Sequence, residues 1–229
     1  MDPAILLTAY VVFLYSTVCH EAAHAWVAHK LGDDTAYLGG QVSLDPIPHI
    51  KREPLGMVVV PLIMLFTGRG LLGWASAPLD PMWVMRYPKK SAMVAVAGPL
   101  ANLIIALIAV VIMFIGSKNG IFQPVRDPWF HEFVIGEKGT AWEYIGYVVS
   151  LMLTLNVFLA VLNMMPVPPL DGSNVPLFFL QGRAADSYQQ FIRQPWMFLV
   201  TIVIIFRLFP NIYRPIYDFI VSATYGLIF

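Results

Sequence analysis

His20-Glu21-Ala22-Ala23-His24 combines residue types and a spacing that can bind a metal ion and use it. On a helix, residues four apart share a face, so both imidazoles reach one ion, and Glu21 stands beside that ion, where a base for a bound water belongs. The competing reading is a polar helix end whose side chains reach outward to water. His20 lies about 12 Å from the end of its apolar run, however, and ionisable groups that deep in a lipid-facing helix need a purpose. Two His ligands call for a third, commonly a carboxylate, with one position left open. Asp171 ends the stretch Asn163-Met164-Met165-Pro166-Val167-Pro168-Pro169-Leu170-Asp171, followed by Gly172. Its three prolines break the preceding helix and free backbone groups that survive at membrane depth only inside protein or beside a cavity. Alone, this stretch reads as a Pro-rich helix stop with a surface Asp and a turn Gly. The missing ligand reverses that reading and makes His20, His24 and Asp171 candidates for one zinc ion per chain, with Glu21 as the catalytic carboxylate.

The elements that must position these residues are apolar. Of 229 residues, 58% are hydrophobic and 12% charged, and the mean hydropathy is +0.69. That is too apolar for one water-soluble core, so the surface must face a lipid bilayer. Fourteen basic and fourteen acidic residues cancel, no long run of like charge occurs, and nucleic-acid binding is excluded as a function class. Cys19 is the one cysteine and forms no internal disulfide. Apolar segments run over 4–28, 54–66, 92–116, 144–165, 175–180, 196–209 and 213–229. The first follows Asp2 and Pro3 rather than a basic leader and ends in Lys30, Leu31 and Gly32, so it is expected to stay in the mature protein. The second contains Pro61, precedes Thr67-Gly68-Arg69-Gly70, and at about 13 residues is expected to be re-entrant. The third, fourth and sixth are expected to span, residues 117–140 to form a loop, and the last to span or lie in the interface. The fold class is therefore an all-α polytopic membrane protein, a single domain over 1–229 with no appended module. It comprises a three-helix catalytic core, a re-entrant segment, a short β-like edge and C-terminal helices.

His20-Glu21-x-x-His24, then Gly98-Pro99-Leu100-Ala101-Asn102, then the Asn-x-x-Pro-x-Pro-Pro-Leu-Asp-Gly stretch over 163–172 resemble, in order, the motifs of the site-2 protease family of intramembrane zinc metalloproteases. Together with Gly39-Gly40-Gln41-Val42-Ser43-Leu44-Asp45-Pro46 they are similar to the small prokaryotic members that lack PDZ and CBS domains. The resemblance implies zinc ligation by His20, His24 and Asp171, catalysis by Glu21, and substrate contacts by Asn102 and Asn163. For the two asparagines, interhelical hydrogen bonding is an equally good account. His49, in Pro46-Ile47-Pro48-His49, reads as a loop histidine without a role.

The expected activity is hydrolysis of peptide bonds in or near transmembrane segments of membrane-protein substrates. A substrate helix keeps its carbonyls in its own hydrogen-bond ladder, so it must unwind, and an unpaired strand would stabilise the unwound stretch. Residues 40–44, with Gly40, Gln41 and Val42, are the expected edge. Placing His20, His24 and Asp171 at one membrane face requires an even number of crossings between them, supplied by the segments at 92–116 and 144–165. Lys30, Lys51, Arg52, Arg86, Lys89 and Lys90 then lie on the cytoplasmic side of the cell membrane, as does the site, with the Asp2 end outside; Lys118, Arg126 and Lys138 weaken the bias. A membrane metal-ion transporter would show polar residues along several helices. A non-catalytic relative that only binds membrane proteins would have lost Glu21 or a ligand.

Overall fold

The computed structural model describes residues 3–68, 70–129 and 132–228. Asp2, Arg69 and Phe229, named above, lie outside the described residues, as does the side chain of Arg126. Among the described residues, three single helices are long and apolar enough to cross a membrane: α1 (Pro3–Leu31), α6 (Pro88–Lys118) and α7 (Ala141–Asn163). Between α1 and α6 lie the short helices α2 (Thr35–Leu38), α3 (Pro46–Arg52), α4 (Val60–Phe66) and α5 (Pro81–Arg86). Strands β1 (Gln123–Trp129) and β2 (Glu132–Ile135) precede α7, and α8 (Arg183–Ile192), α9 (Met197–Arg207) and α10 (Phe209–Ile228) end the chain.

Helix α6 packs against both α1 and α7, and its two faces differ. Ala92, Ala95, Ala106 and Ala109 are buried, whereas Leu103, Ile104, Leu107 and Ile108 are exposed. Small residues let backbones approach closely where burial of apolar surface gives no advantage over lipid contact. The helices run antiparallel: Lys90 Nζ donates to Leu31 O at 2.9 Å, joining the start of α6 to the end of α1. Between His24 and Asp171 the chain thus crosses twice, by α6 and α7, and both ends of the core return to one face.

The short apolar segment is re-entrant, as its length predicts. A π-helical turn at Leu55–Val59 continues into α4, and residues 70–80 return without helix or strand. Trp74 N–H donates to Gly56 O at 3.1 Å. The two ends are tied where Ser76 Oγ donates to Glu53 Oε1 at 2.6 Å and Arg52 Nε donates to Ser76 Oγ at 3.2 Å. Pro61 explains the π turn, because it has no N–H for the carbonyl of Met57 four residues back. Tyr10 Oη, from α1, donates to that carbonyl at 3.1 Å.

Three expectations need correction. Residues 117–140 are not all loop: β1 and β2 pair antiparallel, with Gln123 opposite Ile135 and Pro124 opposite Val134. Ser150 Oγ on α7 accepts from Phe133 N–H and Val134 N–H, and Tyr225 Oη on α10 donates to Phe133 O. The expected span at 196–209 contains the eleven-residue α9, too short to cross alone; it meets α8 at 75°, and the two together are long and apolar enough for one broken span or a re-entrant loop. Residues 40–44, the expected β-like edge, take no strand conformation; they turn at Gly40, where φ is +74°, and bend toward the Asp45 cap of α3.

Candidate metal centre

His20 and His24 sit one turn apart in the C-terminal half of α1, with Nε2 atoms 3.0 Å apart. Asp171 arrives from the far side of the core. The prolines end α7 at Asn163, and a 3-10 helix, Asp171–Phe178, begins directly after them. A Cβ on Gly172 would overlap the backbone of Met164, so only glycine lets this turn fold back on α7. Thr201 Oγ1 on α9 donates to Pro168 O, and Tyr188 Oη on α8 donates to Ser173 O at 2.7 Å. Thus held, Asp171 Oδ2 lies 3.1 Å from His20 Nε2 and 3.3 Å from His24 Nε2.

The outer nitrogen of each ring fixes its tautomer. His24 Nδ1 is 2.7 Å from Val94 O, which only accepts, so Nδ1 carries the proton. His20 Nδ1 is 2.6 Å from Asn102 Oδ1, with the same result. As metal ligands, neutral rings held this way turn their Nε2 lone pairs inward, toward each other and toward a carboxylate oxygen. Three electron-rich atoms at these separations repel unless a cation lies between them. Zinc with bonds of about 2.0–2.1 Å holds tetrahedral neighbours about 3.3 Å apart, which matches the observed spacing. The residues present fit the ion, and the hydrogen bonds behind each imidazole are those a ligating histidine uses.

Gly98 makes room. A Cβ there would overlap Nε2 of both imidazoles, so α6 can pass this close only through a glycine. Asn102, one turn on, shares the face and meets His20 from behind. Pro99, between them, cannot donate to Ala95 O, which loosens α6 beside the site.

The centre opens into a cleft of about 570 Å³ whose lining includes His20, Glu21, His24, Asp171, Asn163, Asn174, Arg193 and, from the returning stretch, Ala75, Ser76, Ala77 and Leu79. Glu21 is buried and its Oε2 has no hydrogen-bond partner, so a carboxylate oxygen beside the ligands is uncommitted. Asn163 lines the cleft, donating from Nδ2 to Leu159 O at 3.1 Å. Asn102 does not: it is fully buried and its amide is spent inside the protein, so the expected substrate contact is replaced by a place behind His20. Gly40, Gln41 and Val42 also lie off the cleft. Buried Gln41 instead donates from Nε2 to Ser76 O at 3.1 Å, bracing the residues that do line it. No backbone-to-backbone hydrogen bond joins Ala75, Ser76, Ala77 or Leu79 to any described residue. His49 is buried away from the cleft, with Nε2 donating to Ser43 O at 3.0 Å.

Sequence reasoning missed Asn174, Arg193 and the 75–79 stretch. Asn174 had a signal, since three residues after Asp171 is the same face of a 3-10 helix. Arg193 had none, because the bend after α8 that brings it to the cleft depends on tertiary packing.

The sequence model of peptidase family M50 matches residues 8–207. The chain is 30% identical over 171 residues to "Putative zinc metalloprotease YwhC" of Bacillus subtilis (strain 168), covering 72% of this chain and 65% of that protein. It is 28% identical over 161 residues to "Putative zinc metalloprotease Rip2" of Mycobacterium tuberculosis (strain H37Rv), covering 70% and 52%. To the protein of the same name from Mycolicibacterium smegmatis it is 26% identical over 195 residues, covering 84% and 64%. The chain thus spans less than two thirds of the length of these relatives. No solved structure is significantly similar to it. With motifs, membrane helices and a family match that takes in His20, Glu21, His24 and Asp171, this chain belongs to peptidase family M50, the site-2 protease family.

Proposed function

We propose that this chain is an intramembrane zinc metalloprotease that cleaves peptide bonds in or near transmembrane segments of membrane-protein substrates. His20, His24 and Asp171 hold one zinc ion, and Glu21 is the catalytic carboxylate. The observation that carries the reading is the convergence of two imidazole lone pairs and a carboxylate oxygen beside the unpartnered Glu21 Oε2. Zinc bound there supplies Lewis acidity, polarising a carbonyl and making a water acidic.

The chain's own residues do the rest. Asn102 and Val94 O orient the imidazoles. Glu21 takes a proton from water and returns it to the departing amide nitrogen, a transfer that is worth about 10²–10⁴ in rate. The N–H and C=O groups of Ala75, Ala77 and Leu79 and the N–H of Ser76, unpaired among the described residues, receive an unwound substrate stretch by strand addition, in place of residues 40–44, while Ser76 O is held by Gln41. Asn163, with an uncommitted amide oxygen in the cleft, holds the same stretch. The site opens toward the cytoplasm, because Lys30, Lys51, Arg52, Arg86, Lys89 and Lys90 cluster on the side where α1 ends. The described fold forms one catalytic unit in the bilayer.

The test uses purified wild type and Glu21→Gln in detergent, with bound metal measured and single-span membrane proteins as substrates. Both should carry one zinc per chain, and only the wild type should cleave. Cleavage by Glu21→Gln near the wild-type rate would sink the mechanism.

A further inference from the structure

Behind His20 lies a buried polar relay that joins three helices. Asn102 Oδ1 accepts from His20 Nδ1, while Asn102 Nδ2 donates to Asn156 Oδ1 at 2.8 Å and to Ser16 O at 3.3 Å. Asn156 Nδ2 donates in turn to Met152 O at 2.8 Å and to Ser16 Oγ at 2.9 Å. Asn102 and Asn156 are both fully buried.

An amide side chain is nearly symmetric in shape, so Asn102 could sit either way round in the same space. The two orientations differ chemically. With oxygen toward His20, Nδ1 must carry the proton and Nε2 keeps its lone pair. With NH₂ toward His20, Nδ1 must accept, the proton moves to Nε2, and the ring cannot bind a metal through that atom. What selects the first orientation is the pair of acceptors behind it, the backbone carbonyl Ser16 O at 3.3 Å and the nearer Asn156 Oδ1 at 2.8 Å. Met152 O is a backbone carbonyl that cannot donate, so it fixes Asn156 with nitrogen toward itself and oxygen toward Asn102. That oxygen, the shorter of Asn102's two acceptors, then fixes Asn102.

We infer that Asn156 is a positioning residue that holds the Asn102 amide in the orientation that leaves His20 Nε2 free to bind the metal. The inference rests on the reading that His20 is a ligand.

A double substitution separates orientation from packing. A carboxylate at position 102 offers oxygen to His20 whichever way it turns, so it needs no selector. Zinc affinity of the full chain in detergent is measured by competition with a chromophoric chelator, and the visible absorption of the cobalt-substituted protein reports the ligand field independently of activity. Asn156→Leu should weaken zinc about tenfold, the lower end for loss of an outer partner, and shift the cobalt bands. In Asn102→Asp the second carboxylate oxygen meets two acceptors, Asn156 Oδ1 and Ser16 O, so adding Asn156→Leu removes one clash, and the double variant should bind zinc at least as tightly as Asn102→Asp alone. Asn156→Ala serves if the leucine variant does not fold. Equal loss in both backgrounds, or none in either, would overturn the inference. His20→Ala with unchanged affinity would overturn the ligand assignment itself, and the inference with it.

Discussion

Gly98 earns its place through what it lacks. Adding one methyl group there pushes against both imidazoles at once, and neither can retreat because Val94 O and Asn102 hold their outer nitrogens. Overpacking of this kind costs about 1–3 kcal/mol. Gly98→Ala should therefore weaken zinc by about 5- to 150-fold, at 1.4 kcal/mol per tenfold, as checked by metal-to-protein ratio after dialysis against a buffered zinc pool. Unchanged occupancy would mean that α6 can shift away without cost. At this scale the sequence was most legible for His20, Glu21 and His24, since helical periodicity alone puts them together. Asp171 was legible because few carboxylates lie near the ends of apolar segments. Asn102 was legible as a polar residue on the right helix, but not as the partner of His20 rather than of substrate. That distinction depends on which way one side chain points between three packed helices.

Among the elements, the re-entrant segment shows how one proline draws a second helix into its structure. Pro61 deprives Met57 O of its helical donor, and Tyr10 on α1 replaces it. Tyr10→Phe should cost about 0.5–1.5 kcal/mol in thermal unfolding in detergent. In a Pro61→Ala background, where a backbone N–H is again available, the same change should cost much less. Equal costs in both backgrounds would show that the tyrosine packs rather than donates. The length of the 54–66 segment made its re-entry readable, and the periodicity of α1, α6 and α7 made the core readable. The β-hairpin escaped because Pro124 and Pro128 interrupt any strand pattern, and its pairing is completed by Ser150 and Tyr225 from distant helices. The break between α8 and α9 escaped because the apolar run from 196 onward gives no measure of where a helix turns.

Seen whole, the candidate metal centre would clasp the molecule at one end. Its proposed ligands come from α1 and from the 3-10 helix after α7, and that helix is itself held by α8 and α9. Zinc that binds the folded chain alone stabilises it by about 2.7 kcal/mol at a hundred times its dissociation constant. Chelation should therefore lower the unfolding temperature of the wild type and leave that of His20→Ala unmoved. A wild type indifferent to chelator would place the ion outside the clasp.

The backbone from Ala75 to Leu79, paired only at Ser76 O among the described residues, bears on how the proposed reaction would obtain its second reactant. Hydrocarbon tolerates no unpaired peptide groups, each of which would cost several kcal/mol, so this stretch must be hydrated wherever it sits relative to the lipid. The same residues line the cleft that reaches Glu21. Solvent is therefore expected along the returning arm of the re-entrant segment, and under the proposed activity that arm would supply the water to be split. Ala77→Cys, in a Cys19→Ala background, should react readily with a small hydrophilic thiol reagent and be shielded once a cleft-filling peptide inhibitor is added. Inertness to that reagent would mean that the arm is sealed and that water arrives by another way.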